Sequence, residues 1–181
     1  LWIEEHTHYE LDLAPVYAHL QGAGRVGLSI GMLIPTTMKS AYQGLIEHYV
    51  GTEELAYAQA DYPDTVQALW QQTVENHCTA ARLAVEAPYR YFITWEDSGT
   101  QNYSPRLYRD YIAPEITRWV DILKASDKRY LQHACGHLRA LLPMMVAQGE
   151  WGVESISPPP TGNISIGDAR AQIGAAEVEC Q

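Results

Sequence analysis

Apolar positions along this chain follow two rhythms, one of period about 3.6 and one of period about 2, separated by glycine, proline and polar clusters. The helical rhythm appears first over residues 10–21, where Leu13, Val16, Tyr17 and Leu20 share one side and Gly22 and Gly24 supply a stop. Residues 25–32 alternate weakly and carry two glycines, which predicts a buried strand that something packs against closely. Thr36 and Thr37 offer an N-cap to a helix over 39–49, and Thr52 caps a further short helix. The longest helix is predicted over 61–87, with Val66, Leu69, Trp70, Val74, Cys78, Ala81 and Val85 on one stripe.

Pro88 ends that helix, and 89–95 is the strongest strand in the sequence by its aromatic and β-branched content. Ser104 and Pro105 open a helix bearing Leu107, Tyr111 and Ile112. Pro114 is expected to kink or restart it before Ile116, Trp119, Val120 and Leu123. A strand over 130–135, a helix over 138–148 and a strand over 153–157 follow. Three prolines then make a stiff loop, and a small helix over 165–173 leads to a last strand over 177–180.

Strand and helix thus alternate about five times with short connections, the order of an α/β protein with a parallel sheet. No Gly-x-Gly-x-x-Gly or P-loop follows any strand, so a nucleotide-binding doubly wound sheet lacks its motif. A (β/α)8 barrel of the TIM type fits better. A complete one takes about 250 residues, so five units in 181 residues read as a partial barrel. The chain starts Leu1-Trp2-Ile3 and stops in what reads as mid-strand, and the expectation is one partial-barrel domain over 1–181, cut at both ends.

Composition narrows the function classes. With 46% hydrophobic and 19% charged residues the chain is an ordinary globular one. Its net charge of -10, without a basic run interleaved with aromatics, speaks against a nucleic-acid partner. No apolar run approaches the roughly 20 residues that span a bilayer, so no membrane is expected and a cytoplasmic location is the default. The three cysteines are too few and too far apart for a disulfide framework, which fits a reducing compartment.

Candidate chemistry gathers at the predicted carboxyl ends of strands, where a barrel carries its active site. His133 and Cys135 sit two apart in a strand and therefore look to the same side, with Ala134 opposite. An imidazole nitrogen beside a thiolate is half of a tetrahedral zinc site. At the end of the strand over 89–95, Trp95, Glu96, Asp97, Ser98 and Asn102 crowd acids, amides and hydroxyls into one loop. Ser157 opens a third candidate loop, and His137 follows the Cys135-Gly136 turn. Cys78 belongs to a core stripe, and His6, His8 and His19 read as surface residues.

The series Trp95-Glu-Asp-Ser-Gly-Thr-Gln-Asn, Ser104-Pro-Arg-Leu-Tyr, Pro114, His133-Ala-Cys-Gly-His, Leu141-Leu-Pro and Pro158-Pro-Pro-Thr-Gly-Asn resembles the uroporphyrinogen decarboxylase superfamily from about Arg25 onward. The resemblance implies a TIM barrel and two kinds of activity. One is cofactor-independent decarboxylation of uroporphyrinogen in porphyrin biosynthesis. The other is zinc-dependent transfer of a methyl group from a methylated corrinoid to a thiol. His-x-Cys-Gly is similar to the methyltransferase branch. It implies His133 and Cys135 as zinc ligands, with Cys180 as a substitute for the family's later cysteine and Glu154 a weaker candidate. Asp97 and Glu96 are then expected in catalysis or in orienting His133, and Trp95, Asn102, His137 and Ser157 against the substrate. A small thiol or tetrapyrrole and a corrinoid protein are the implied partners, with the oligomeric state open, a homodimer included. A non-catalytic tetrapyrrole-binding fragment is the remaining reading.

Overall fold

The computed structural model describes residues 1–23, 27–34 and 36–174, and within them four short strands alternate with helices. The strands are β1 (Ile30–Met32), β2 (Tyr91–Thr94), β3 (Arg129–His133) and β4 (Gly152–Glu154). They lie in chain order and every neighbouring pair is parallel. Parallel neighbours require crossovers, and here each crossover carries helix, so the fold is mixed α/β in the manner of a partial TIM barrel. The predicted strand over 177–180 lies outside the described residues.

The helices are α1 (Trp2–Glu5), α2 (Ala14–Ala23), α3 (Ala41–Gly44), α4 (Thr52–Asp61), α5 (Pro63–Ala84), α6 (Pro105–Leu107), α7 (Ala113–Ala125), α8 (Leu142–Gln148) and α9 (Ile166–Ile173). The core forms where the apolar stripes of α5 and α7 meet one face of the sheet. Val74, Cys78 and Ala81 of α5 are buried, as are Ile116, Trp119 and Leu123 of α7. Trp119 meets Tyr130 of β3 edge-on at 6.1 Å between ring centres. Burial in this stripe pushes the Cys78 thiol up to about 11, in keeping with its assignment to the core. The opposite, concave face presents Tyr91, Ile93 and Leu131, which with Trp151 and Ile156 line a cavity of about 180 Å³.

Two helices differ from expectation for physical reasons. The helix over 39–49 starts only at Ala41, because Thr37 Oγ1 bonds back to Lys39 in a tight turn and Met38 adopts a left-handed φ of 60°. Its second half, Leu45–Tyr49, widens to a π turn. The helix over 138–148 forms only from Leu142, since Gly136 is left-handed and Pro143 lacks the N–H that would reach back to residue 139. Pro114 restarts the helix as expected: it sits in the first turn of α7 directly after a second π turn, Tyr108–Ile112, where its missing N–H has no intrahelical partner to lose. Among the described residues no helix is long and apolar enough to cross a membrane.

Beneath the sheet lies a polar layer. Tyr103 Oη and Gln132 Nε2 donate to Ser98 Oγ at 3.0 and 2.7 Å, and Tyr108 Oη donates to Gln132 Oε1 at 3.1 Å. Nearby, both carboxyl oxygens of Glu150 are buried without a hydrogen-bond partner, and that burial pushes its pKa well above the usual carboxylate value. A carboxyl whose folded pKa is raised contributes its full stability below the unfolded value and loses it as pH rises through the folded one. Denaturant titrations of parent and Glu150→Gln are therefore expected to diverge as pH rises above the ordinary carboxylate value, the variant gaining stability relative to the parent and standing at least as stable near neutral pH.

Candidate metal centre

The register of the sheet decides which side chains meet. Thr94 of β2 pairs with Gln132 of β3, so continuing three residues past that pair sets Asp97 across from Cys135. His133 of β3 pairs with Glu154 of β4, placing those two side by side. Ala134 is wholly buried beneath, as the alternation requires, while His133 and Cys135 are partly open.

The result is a compact donor set. Asp97, His133 and Cys135 each offer one atom within 4.8 Å of the others. Cys135 Sγ lies 3.6 Å from Asp97 Oδ1, and His133 Nε2 lies 3.9 Å from the same oxygen. Ligands at bond lengths of about 2.0–2.3 Å around a tetrahedral ion stand roughly 3.3–3.8 Å apart. One carboxylate oxygen, one imidazole nitrogen and one sulfur at separations close to these could hold a metal ion between them.

The surroundings prepare each donor. His133 Nδ1–H donates to the Glu154 carboxylate, which leaves Nε2 with its lone pair toward Asp97 and Cys135. Burial works against the Glu154 charge, but the Ser155 hydroxyl and His133 together hold its pKa below the usual value. The Trp95 ring stands 5.0 Å from the His133 ring and is 44% exposed, forming one wall of the site. Burial pushes the Cys135 thiol up and the Asp97 carboxylate adds to the rise, so without a cation the sulfur keeps its proton and donates it to Asp97. A metal ligand must give that proton up.

Left-handed residues adjoin three members of the site: Met38 before Lys39, Gly136 after Cys135 and Ser155 after Glu154, with φ of 60°, 77° and 71°. For Met38 and Ser155 such a backbone costs about 1–3 kcal/mol each. Tertiary bonds hold it in place: Trp95 N donates to Met38 O at 2.7 Å, and Ala134 N donates to Glu154 O at 2.9 Å.

The other predicted site residues divide clearly. Asn102 Nδ2 donates to the Asp97 backbone oxygen at 2.7 Å and so steadies the loop that carries a donor. His137 is tied in by its backbone: its N–H donates to Gln101 Oε1 at 3.0 Å and its oxygen accepts from Thr100 N at 3.0 Å. Ser157 Oγ donates to Ser155 O at 3.1 Å. A Cβ on Gly162 would collide with Ser157 O and come within 2.8 Å of Gly136 O, which shows how tightly the proline loop sits on the Cys135-Gly136 turn. Glu96 points away from the donor set. It is fully buried behind the sheet, where the backbone N–H and the hydroxyl of Ser40 donate to its carboxylate. Burial pushes its pKa up to about 8. Cys180 lies outside the described residues.

No local pattern in the chain marks Lys39. Its ammonium is buried and donates to Trp95 O at 2.6 Å and to Asp97 Oδ2 at 3.3 Å, and it pairs with Glu47 at 2.8 Å. Glu115 and His77 form a buried pair away from the donor set. Glu115 accepts from Ala41 N at 2.8 Å and meets His77 Nδ1 at 2.7 Å, both side chains buried.

No protein-family model matches the sequence, and no curated protein matches it. Among solved structures, a methyltransferase from Methanosarcina mazei superposes with a TM-score of 0.61 at 14% sequence identity, over 83% of this chain and 45% of that one. At that identity the likeness establishes the fold. This chain spans under half the length of that neighbour.

Removing the carboxylate that orients a ligating imidazole costs about 10–100-fold in metal affinity. Glu154→Ala is accordingly expected to weaken binding of an added divalent metal by that factor in competition with a chromogenic chelator, with the circular dichroism spectrum unchanged. Parental affinity in the variant would show that Glu154 does not orient His133.

Proposed function

We propose that this chain is the zinc-holding part of an enzyme that transfers a methyl group from a methylated corrinoid to a thiol. The observation that carries the reading is the convergence of Asp97, His133 and Cys135 at adjacent strand ends of a barrel-type sheet. The resemblance of His133-Ala-Cys-Gly to the methyltransferase branch of the uroporphyrinogen decarboxylase superfamily supports it. So does the structural neighbour, which is itself a methyltransferase.

In this reading His133, Cys135 and Asp97 would hold the ion, and Cys180 would not be required as the third ligand. A bound zinc supplies Lewis acidity, keeping a substrate thiol in its thiolate form near neutral pH as the nucleophile for the methyl group. The protein's own groups do the rest. Glu154 keeps the imidazole proton on Nδ1, so Nε2 stays a donor through the cycle. Asn102 and Lys39 hold Asp97 from its backbone and from its outer oxygen. The exposed Trp95 ring beside His133 would offer an apolar wall to a bound substrate. A corrinoid-carrying protein is the partner this chemistry calls for.

Elemental analysis of the purified protein is expected to find close to one zinc per chain, lost in Cys135→Ser. With methylcobalamin and a small thiol, absorbance is expected to report demethylation that a chelator abolishes. Zinc-free protein would overturn the reading. Chelator-insensitive formation of coproporphyrinogen from uroporphyrinogen would replace it with a decarboxylase, and corrinoid binding without turnover by the zinc-loaded protein would replace it with a non-catalytic module.

A further inference from the structure

Asp97 has two carboxylate oxygens, and the structure treats them differently. Oδ1 faces Cys135 Sγ at 3.6 Å and His133 Nε2 at 3.9 Å, while Oδ2 accepts from Lys39 Nζ at 3.3 Å. The same ammonium bonds Trp95 O, two residues before Asp97, at 2.6 Å, and pairs with Glu47 at 2.8 Å. With three acceptors around its three donors the Lys39 head is fully used, so it holds Asp97 and has no proton left for a substrate.

The position of Lys39 is itself secured. The next two residues present their backbone N–H groups to two buried carboxylates from other elements, Ser40 to Glu96 and Ala41 to Glu115. Glu96 stands between Trp95 and Asp97 in the chain, so the strand end that carries the donor also grips the segment that carries the lysine.

We propose that Lys39 is a positioning residue that occupies Asp97 Oδ2 and so restricts Asp97 to a single ligating oxygen, keeping one coordination position of the metal open for substrate. A carboxylate free of this partner is able to ligate through both oxygens and close the fourth position. This inference rests on the metal reading and adds to it the reason the site stays open.

Cobalt(II) replaces zinc as the probe, because tetrahedral cobalt absorbs more strongly in the visible than cobalt of higher coordination number. Wild-type protein loaded with cobalt is expected to show intense visible bands that shift on adding a small thiol. Lys39→Met is expected to lose band intensity and to bind the thiol about 10-fold more weakly. In an Asp97→Ala background, adding Lys39→Met is expected to change neither spectrum nor thiol affinity further, since the effect acts through Asp97. A wild-type spectrum in Lys39→Met, or an undiminished change in the Asp97→Ala background, would overturn the proposal while leaving the metal site standing. Wild-type protein that takes up no cobalt would overturn the metal reading and this inference with it. Should Lys39→Met fail to fold by circular dichroism, Lys39→Arg carries the test: its guanidinium cannot serve Trp95 O, Glu47 and Asp97 from one nitrogen, and an unaltered cobalt spectrum in that folded variant would sink the idea.

Discussion

Parallel pairing of three short strands in one register governs the chemistry of this molecule. Thr94 opposite Gln132 and His133 opposite Glu154 are backbone facts, yet they determine which donors meet. A slip of one residue between β2 and β3 would turn every side chain of one strand to the other face. Asp97 would then exchange places with Glu96, and the donor set would dissolve. The buried layer under the sheet enforces the register. Thr94 bonds the hydroxyl of Tyr130, and Gln132 bridges Ser98 and Tyr108, so the hidden faces of β2 and β3 carry polar groups whose partners this alignment supplies.

Behind the donors, a second arrangement ties helix to strand. The N-terminal amides of α3 receive no side chain from their own segment and take carboxylates from the end of β2 and from α7 instead. Those amides need acceptors, and Glu96 and Glu115 supply carboxyl oxygens in the interior, where each side chain is fully buried. Removing one partner of such a buried set is costly, because the backbone N–H left behind has neither acceptor nor solvent to turn to. The molecule thus commits buried polar groups, two left-handed non-glycine residues and tight loop packing to the same end of the sheet. Stability is given up where geometry must be held, which is the usual behaviour of a functional site.

Much of this was legible in the sequence. The alternation of periods foretold parallel strands with intervening helices, and the two-residue spacing of His133 and Cys135 foretold that they share a face. The same parity argument, applied to Glu96 and Asp97, separates them: neighbours in a strand end cannot both face the site, and Asp97 is the one in step with Trp95 and with the register partner Cys135. Helix limits were less legible, because Pro143, Gly136 and the left-handed Met38 set them through backbone geometry that composition only hints at. Lys39 and the role of Glu154 escaped for a different reason. A lysine 58 positions from its aspartate and a glutamate 21 positions from its histidine are joined only by the folded sheet, and no nearby motif points to either pairing.

Whether Asp97, His133 and Cys135 share one cation is decided by zinc K-edge X-ray absorption on the metal-loaded protein. The expected spectrum has one sulfur at about 2.3 Å and lighter donors at about 2.0–2.2 Å, the histidine scattering pattern among them. A coordination sphere of oxygen alone, or one with two sulfurs, would contradict the shared site.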